Sequence, residues 1–279
     1  MMQAAAPTSL QNFVTSAFSV ASSESNGEFG MFGVALMGIL LSWHVLLGAA
    51  ELASGDTQCR FLKGSFYVRI LTVFAVMYSF DTIFMTFSQA IANSATAAMV
   101  AAMSQPWAAA QTVPAQVLNN FGLLTDSSTG LGSILTLHFS VIISFFICGA
   151  CVVLGFIGFF AAALLMLVQG YIGIAYSAFV LILAPVLIPF GLHESTEGMA
   201  WSYIKGWLIY GVLYLPLLVV AMNLGSQLML NAAVTITNQG LVADGGSASL
   251  IAQIFSILAV PLAIIGIIYV PNAVLNKVL

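Results

Sequence analysis

Charge is what this sequence has least of: five Lys and Arg and nine Asp and Glu among 279 residues, 5% of the chain. A soluble domain carries about a quarter of its residues charged, so this chain cannot dress a water-facing surface. No basic stripe is present, which removes the electrostatic footprint that nucleic-acid binding requires, and no direct nucleic-acid motif replaces it. Cysteine is scarcer still, at three residues, which excludes a disulfide framework. Cys59 falls in a short loop. Cys148 and Cys151 have C-x-x-C spacing, open to a metal or redox reading, but they sit inside an apolar run around the small Gly149 and Ala150, which favours helix packing. Also missing are a glycine-rich phosphate loop, paired catalytic carboxylates and a nucleophile elbow. The chain is therefore read as no enzyme, with no cofactor or metal, bound lipid being the one non-protein component expected. Residues 1–28 hold neither Lys nor Arg and no continuous apolar core, unlike a cleavable leader, so targeting is expected from the first spanning helix.

Apolar length is what the chain has instead. It is 61% hydrophobic, and residues 134–169 and 171–190 form two runs without a single charge. A spanning helix needs about 20 apolar residues, so the expected fold is an all-α polytopic transmembrane bundle of about five to six spanning segments plus interfacial helices. Four regions are expected along it. Residues 1–28 form an outer-side or interfacial segment with a weak apolar face of Leu10, Phe13, Val14 and Phe18. Residues 29–90 form a two-helix transmembrane unit. Residues 91–132, rich in Ala, Ser, Asn and Gln and carrying Pro106, Trp107, Pro114 and Asp126, form a polar outer-face segment. Residues 133–279 form a C-terminal transmembrane bundle. The 134–169 run, about 54 Å as helix, either protrudes or breaks near Gly155 and Gly158. Pro185 and Pro189 should disrupt the end of the next segment, while Pro216 falls near the middle of the one after, Pro261 inside the last and Pro271 at its end.

Arg60 and Lys63 in the loop after the first segment, with Arg69 just inside the second, form a basic cluster, and loops rich in Lys and Arg stay in the cytoplasm, so the N-terminus is expected on the outer side. With one crossing for each of the two long runs, Lys205 and Lys277 fall outside; an extra half-crossing returns both to the cytoplasm.

Few polar residues stand at membrane depth, and each is a candidate pore-lining or interhelical group. Asp81 lies twelve positions past Arg69, about 18 Å further along one helix, and must face protein or water. Its role is either proton-coupled or a plain interhelical hydrogen bond. His44 and Glu51, seven apart, share a helical face that points to a lumen, to Arg69, or to neighbouring helices. His193, Glu194 and Glu197 have the look of a metal cluster, yet without a further His or Cys nearby a solvated loop is favoured, with Ser195 or Thr196 capping the following helix. Gly158 with Ala162, and Ala221 with Gly225, have the small-xxx-small spacing of close helix packing.

The most specific stretch is residues 170–226. There Phe190-Gly191 close an apolar helix, Thr196, Ala200 and Tyr203 follow in order, and Gly211 stands early in the next apolar helix. This pattern resembles the TrbL family, polytopic inner-membrane subunits of conjugative type IV secretion systems. Gln169-Gly170 stand where many relatives carry an acid. The resemblance implies a structural or channel subunit supporting pilus assembly and DNA or protein translocation. It also implies a homo-oligomeric ring, a pentamer among the ring sizes, with envelope proteins, pilin and ATPases as partners and membrane lipid around it. The alternative is a secondary transporter or permease, whose proline-broken helices would expose backbone at the midplane.

Overall fold

The computed structural model of the chain describes residues 5–55, 59–104, 139–238 and 247–278. Every regular element among them is helical. They run as α1 (Ala5–Asn26), α2 (Glu28–Ala53), a 3-10 turn (Arg60–Leu62), α3 (Gly64–Ser79) and a π-helical turn (Phe80–Met85) that leads into α4 (residues 86–104). After these come α5 (Phe139–Ile182), the short turns Ala184–Leu187 and Ile188–Leu192, α6 (Glu197–Gly206), a second π-helical stretch (Trp207–Leu213), α7 (Tyr214–Asn238) and α8 (Ser247–Val278). The expected all-α polytopic bundle is thus observed. Four stretches, Ser9–Ala53, Thr82–Ser104, Val153–Leu192 and Glu197–Ala232, are long and apolar enough to cross a membrane, joined by the shorter apolar Gly64–Ser79 and Ala259–Leu275.

Burial inverts the soluble pattern. On α2 the buried residues are Gly33, His44 and Gly48, whereas Met31, Phe32, Val34, Ile39 and Leu46 point outward. A large apolar side chain left in water forgoes about 1.5–3 kcal/mol, so a helix that turns its smallest and most polar residues inward and its largest apolar ones outward is solvated by lipid. α1 differs. Leu10, Val14, Phe18 and Ala21 recur at helical spacing and are buried, so its apolar face is turned into the protein, and Phe13 meets Tyr171 edge-on at 4.9 Å.

Several helix ends depart from the sequence expectation. α5 runs unbroken for 44 residues, about 66 Å, with no interruption at Gly155 or Gly158, and it fuses the two apolar runs through Gln169-Gly170. Glycine inside a helix costs only about 1 kcal/mol against alanine, too little to end a helix that lipid leaves no other way to hydrogen-bond. Pro261 lies inside α8 as expected, whereas Pro271, expected at the end of the last segment, also lies inside it, the helix continuing to Val278. Pro185 and Pro189 do act as terminators, each opening one of the short turns after α5. Pro216 follows the π-helical stretch closely; lacking an N–H and crowding the carbonyl of Val212, it favours the wider turn there. Residues 105–138 and 239–246 and the side chains of Cys148 and Cys151 lie outside the described residues.

The chain folds as two compact units, each assembled from separate stretches. In the unit formed by Met1–Ser9, Ala97–Gly170 and Leu217–Leu279, α5, α7 and α8 meet through small residues. A Cβ on Gly158 would stand 3.2 Å from the Pro261 ring, and one on Gly225 would run into Met166, with Ile264 at 3.3 Å. Ala162 and Ala221 are buried beside them. In the unit formed by Leu10–Thr96 and Tyr171–Pro216, α2 crosses the Ala184–Leu187 turn so closely that a Cβ on Gly33 would strike the Pro185 carbonyl. Val73 of α3 packs against Gly191, Ile188 and Leu192 are buried, and Tyr176, Tyr210 and Tyr214 form a ring cluster with centroids 5.8 and 6.3 Å apart.

Candidate functional site

Polar groups gather where α2 ends, and the backbone explains how. Ser54 caps α2 and Gly55 follows at φ 74°, the left-handed conformation that turns a chain back from a helix end. The returning loop docks on the helix it has just left. The Cys59 thiol donates to the Gly48 carbonyl at 3.4 Å, and Phe61 covers Gly48 where any side chain would collide with its ring.

Arg60 then clamps the turn. Its backbone N–H donates to Glu51 Oε2 at 2.9 Å, its Nε and Nη2 donate to Glu51 Oε1 at 2.9 and 2.6 Å, and its Nη1 donates to His44 Nδ1 at 3.0 Å. The hydrogen bonds it donates to Glu51 push the Arg60 guanidinium above the ordinary arginine range, so it stays charged. An accepting Nδ1 makes His44 the neutral Nε2–H tautomer. That ring is 4% exposed, and its Nε2 has no hydrogen-bond partner; the Leu192 carbonyl interacts with the ring without meeting hydrogen-bond geometry.

The second half of the cluster comes from α3 and the loop before α6. Arg69 pairs with Glu194 Oε1 at 3.3 Å and with Glu197 Oε2 at 3.0 Å. His193 stacks at a tilt on His44, centroids 4.9 Å apart, while its Nδ1 accepts from the Ser195 N–H at 3.2 Å and lies 2.7 Å from the Ser195 hydroxyl. Thr196 occupies the N-cap position of α6 but does not cap it with its side chain. Its hydroxyl turns back to the Phe190 carbonyl at 2.8 Å and the His193 carbonyl at 3.3 Å. The Cβ of Ala200 closes the turn from the other side, 3.3 Å from where a Cβ of Gly191 would stand. Phe190, Gly191, Thr196 and Ala200 therefore build one tight re-entry turn, with Tyr203 buried behind it. Gly211 sits elsewhere, in the π-helical stretch, close against Trp207 and Ser88.

His44, Glu51, Arg60, Lys63, Ser65, Phe66, Arg69, His193 and Glu194 enclose a cavity of about 230 Å³. Three of the chain's five cations and three of its nine acids thus meet at this end of one unit. Mutual pairing of this kind supports position more than reaction: Glu51 is taken up by Arg60, and Glu194 and Glu197 by Arg69. Among the described residues no group of three or more His, Cys, Asp or Glu is arranged to hold a metal.

Sequence reasoning placed His44 and Glu51 on one face, and the structure brings both to Arg60 rather than to Arg69, whose partners are Glu194 and Glu197. Asp81 lies in the first π-helical turn, and its side chain is outside the described residues. Nothing in the sequence signals the meeting of the two π-helical stretches, where Phe84 packs on Trp207 at 4.4 Å and Trp207 Nε1 donates to Ser88 at 3.0 Å. A signal for Arg60 does exist: an acid in a last helical turn, a glycine just past it and an arginine beyond is the layout of a loop that returns to its own helix.

Compared with known proteins, the chain matches the family described as TrbL/VirB6 plasmid conjugal transfer protein over residues 39–270. No curated protein matches it. No solved structure matches it.

Proposed function

Because the chain belongs to the TrbL/VirB6 plasmid conjugal transfer family, we propose that it is an inner-membrane structural or channel subunit of a type IV secretion machine, supporting pilus assembly and the passage of DNA or protein. The observation that carries this reading is the family match across residues 39–270, which spans the polar cluster and the re-entry turn together. In support, Arg60 and Arg69 hold the three carboxylates of the cluster, and the outward faces of the helices are apolar, as suits a part that packs with lipid and neighbours. The proposed partners are further copies in a homo-oligomeric ring, other envelope proteins, pilin and the ATPases that drive transport.

The cluster supports an orientation for the unit formed by Leu10–Thr96 and Tyr171–Pro216. Within it α2 ends at the Arg60 loop, and Arg69 holds the loop at 193–197 to the same end as Arg60. The side carrying Arg60, Lys63 and Arg69 is the one the positive-inside rule favours for the cytoplasm, which would put the N-terminus in the periplasm.

Deleting the gene from a conjugation-proficient cell should abolish plasmid transfer and restore it on complementation, and tagged protein cross-linked in cells should bring down envelope and pilus components. Undiminished transfer without the gene would sink the proposal. The paired π-helical turns, an irregularity that frequently marks functional sites, favour the transporter reading as runner-up; substrate flux through liposomes holding this protein alone would replace the first reading with that one.

A further inference from the structure

We infer that the cavity between the end of α2, the start of α3 and the loop at 193–194 binds the phosphate of an anionic phospholipid. Its lining carries Arg60, Lys63 and Arg69 against Glu51 and Glu194, and with Glu197 on Arg69 the carboxylates equal the cations in number, so an anion is selected by how these groups are committed rather than by an excess of charge. Glu51 is committed to Arg60 through three hydrogen bonds, and Glu194 is 81% exposed at the end of a 3.3 Å contact, free to swing out. Lys63 is exposed and forms no ion pair with any described carboxylate.

Two further features select an anion. α3 is a 16-residue helix that begins at the cavity without a side-chain cap, so its first amides, at Gly64 and Ser65, present the positive end of the helix beside the Ser65 hydroxyl. His44 lines the same cavity, is 4% exposed, and keeps a buried Nε2–H donor with no partner, a group that an incoming oxygen would satisfy.

Size and surroundings select a lipid headgroup. About 230 Å³ is below the roughly 300–1,000 Å³ of sites that enclose a drug-sized ligand, which suits a phosphodiester entering from one side. Beside the lining residues, Leu62, Tyr67 and Val68 are exposed, an apolar flank on which acyl chains can lie. Tyr67 and Trp201 stand at the level of the cluster, as aromatic residues do in the headgroup layer. Basic pockets between transmembrane helices on the cytoplasmic side bind anionic headgroups by this combination.

The test uses the full chain in a nonionic detergent, titrated separately with phosphatidylglycerol, phosphatidylcholine and inorganic phosphate, with bound lipid counted by native mass spectrometry. Phosphatidylglycerol should bind in preference to phosphatidylcholine. Lys63→Ala should weaken it about fivefold, the effect of one lysine at a lipid surface, and Lys63→Glu by more, while Lys205→Ala, a cation outside the cavity, leaves it unchanged. Lys63 is exposed and unpaired, so both variants should stay monodisperse. Equal retention of the two lipids, an equal loss in Lys63→Ala and Lys205→Ala, or inorganic phosphate displacing the lipid at matched concentration would each overturn the assignment. The measurement requires no secretion machine, so its failure and a failure of the conjugation reading are read separately.

Discussion

Arg60→Ala should unlatch the loop that closes α2. The substitution removes two charge-assisted hydrogen bonds to Glu51 Oε1 and the bond to His44 Nδ1, while the backbone N–H of residue 60 can still reach Oε2. The Glu51–Arg60 pair is 27% exposed on each side, and exposed pairs contribute about 0–1 kcal/mol, so the ion pair is given no more than about 1 kcal/mol here. Leaving the buried His44 Nδ1 without a donor adds about 1 kcal/mol or more. A loss of about 2 kcal/mol corresponds to about a thirtyfold rise in the population of the open loop. Cys59 reports that opening, because it is fully buried and bonded to the Gly48 carbonyl when the loop is closed. In a background where Cys148 and Cys151 are serine, maleimide labelling of Cys59 should speed up about thirtyfold in Arg60→Ala. It should speed up less in Glu51→Gln, which keeps the bond to His44, and the double variant should be less than additive. An unchanged labelling rate in a folded Arg60→Ala protein would refute the idea that this clamp holds the loop.

Gly48→Leu should have the same effect by a different route, since Phe61 lies where the new side chain must go; faster Cys59 labelling with Arg60 intact would show it. Gly33→Val should be worse, because the obstacle is the Pro185 backbone carbonyl rather than a movable side chain, and the yield of monodisperse protein should fall several-fold. Arg69→Glu faces Glu194 and Glu197 with a like charge and should lower thermal stability in detergent, and Glu194→Arg with Glu197→Arg in the same chain should recover most of the loss. Gly225→Leu should disrupt the packing of α7 on Met166 and Ile264, read as earlier thermal aggregation, while Gly266→Leu, which meets nothing within 4 Å, should not.

The membrane fold was legible because its signal is additive: long apolar runs with few charges allow no other solvent, whatever each residue does locally. The fusion of two runs into α5 was not, since Gln169-Gly170 read as a boundary by propensity, and only the absence of alternative backbone partners in lipid makes the helix continue. Among site residues, the shared face of His44 and Glu51 came from helical periodicity, which survives folding. Their partner did not, because Arg60 reaches them through a left-handed Gly55 and a 3-10 turn whose register no periodicity encodes. The pairing of Arg69 with Glu194 and Glu197 joins groups more than a hundred residues apart, which one sequence alone does not reveal. The family-like residues were recognisable as a pattern, and the structure supplies their reason: Gly191 and Ala200 must be small to touch, and Thr196 must be a hydroxyl to hold the Phe190 carbonyl.

The cluster also explains why so few charges suffice. A helix apolar on all sides has nothing of its own to set how deep it lies or how it is rotated, because sliding or turning in lipid exchanges one apolar contact for another. Fixing it requires groups that refuse the hydrocarbon. Arg60 ties the end of α2 to its return loop, Arg69 ties the start of α3 to the loop before α6, and the His44–His193 contact joins the two pairs. Three helices are thereby held at one depth by groups gathered at a single boundary, and beyond them α2 carries only Glu28, α3 no charge and α6 only Lys205. A membrane subunit of the kind proposed, packing beside further copies of itself, would benefit from that division. Its register is set internally, so neighbours can pack against apolar faces without competing for the ion pairs that keep it in place.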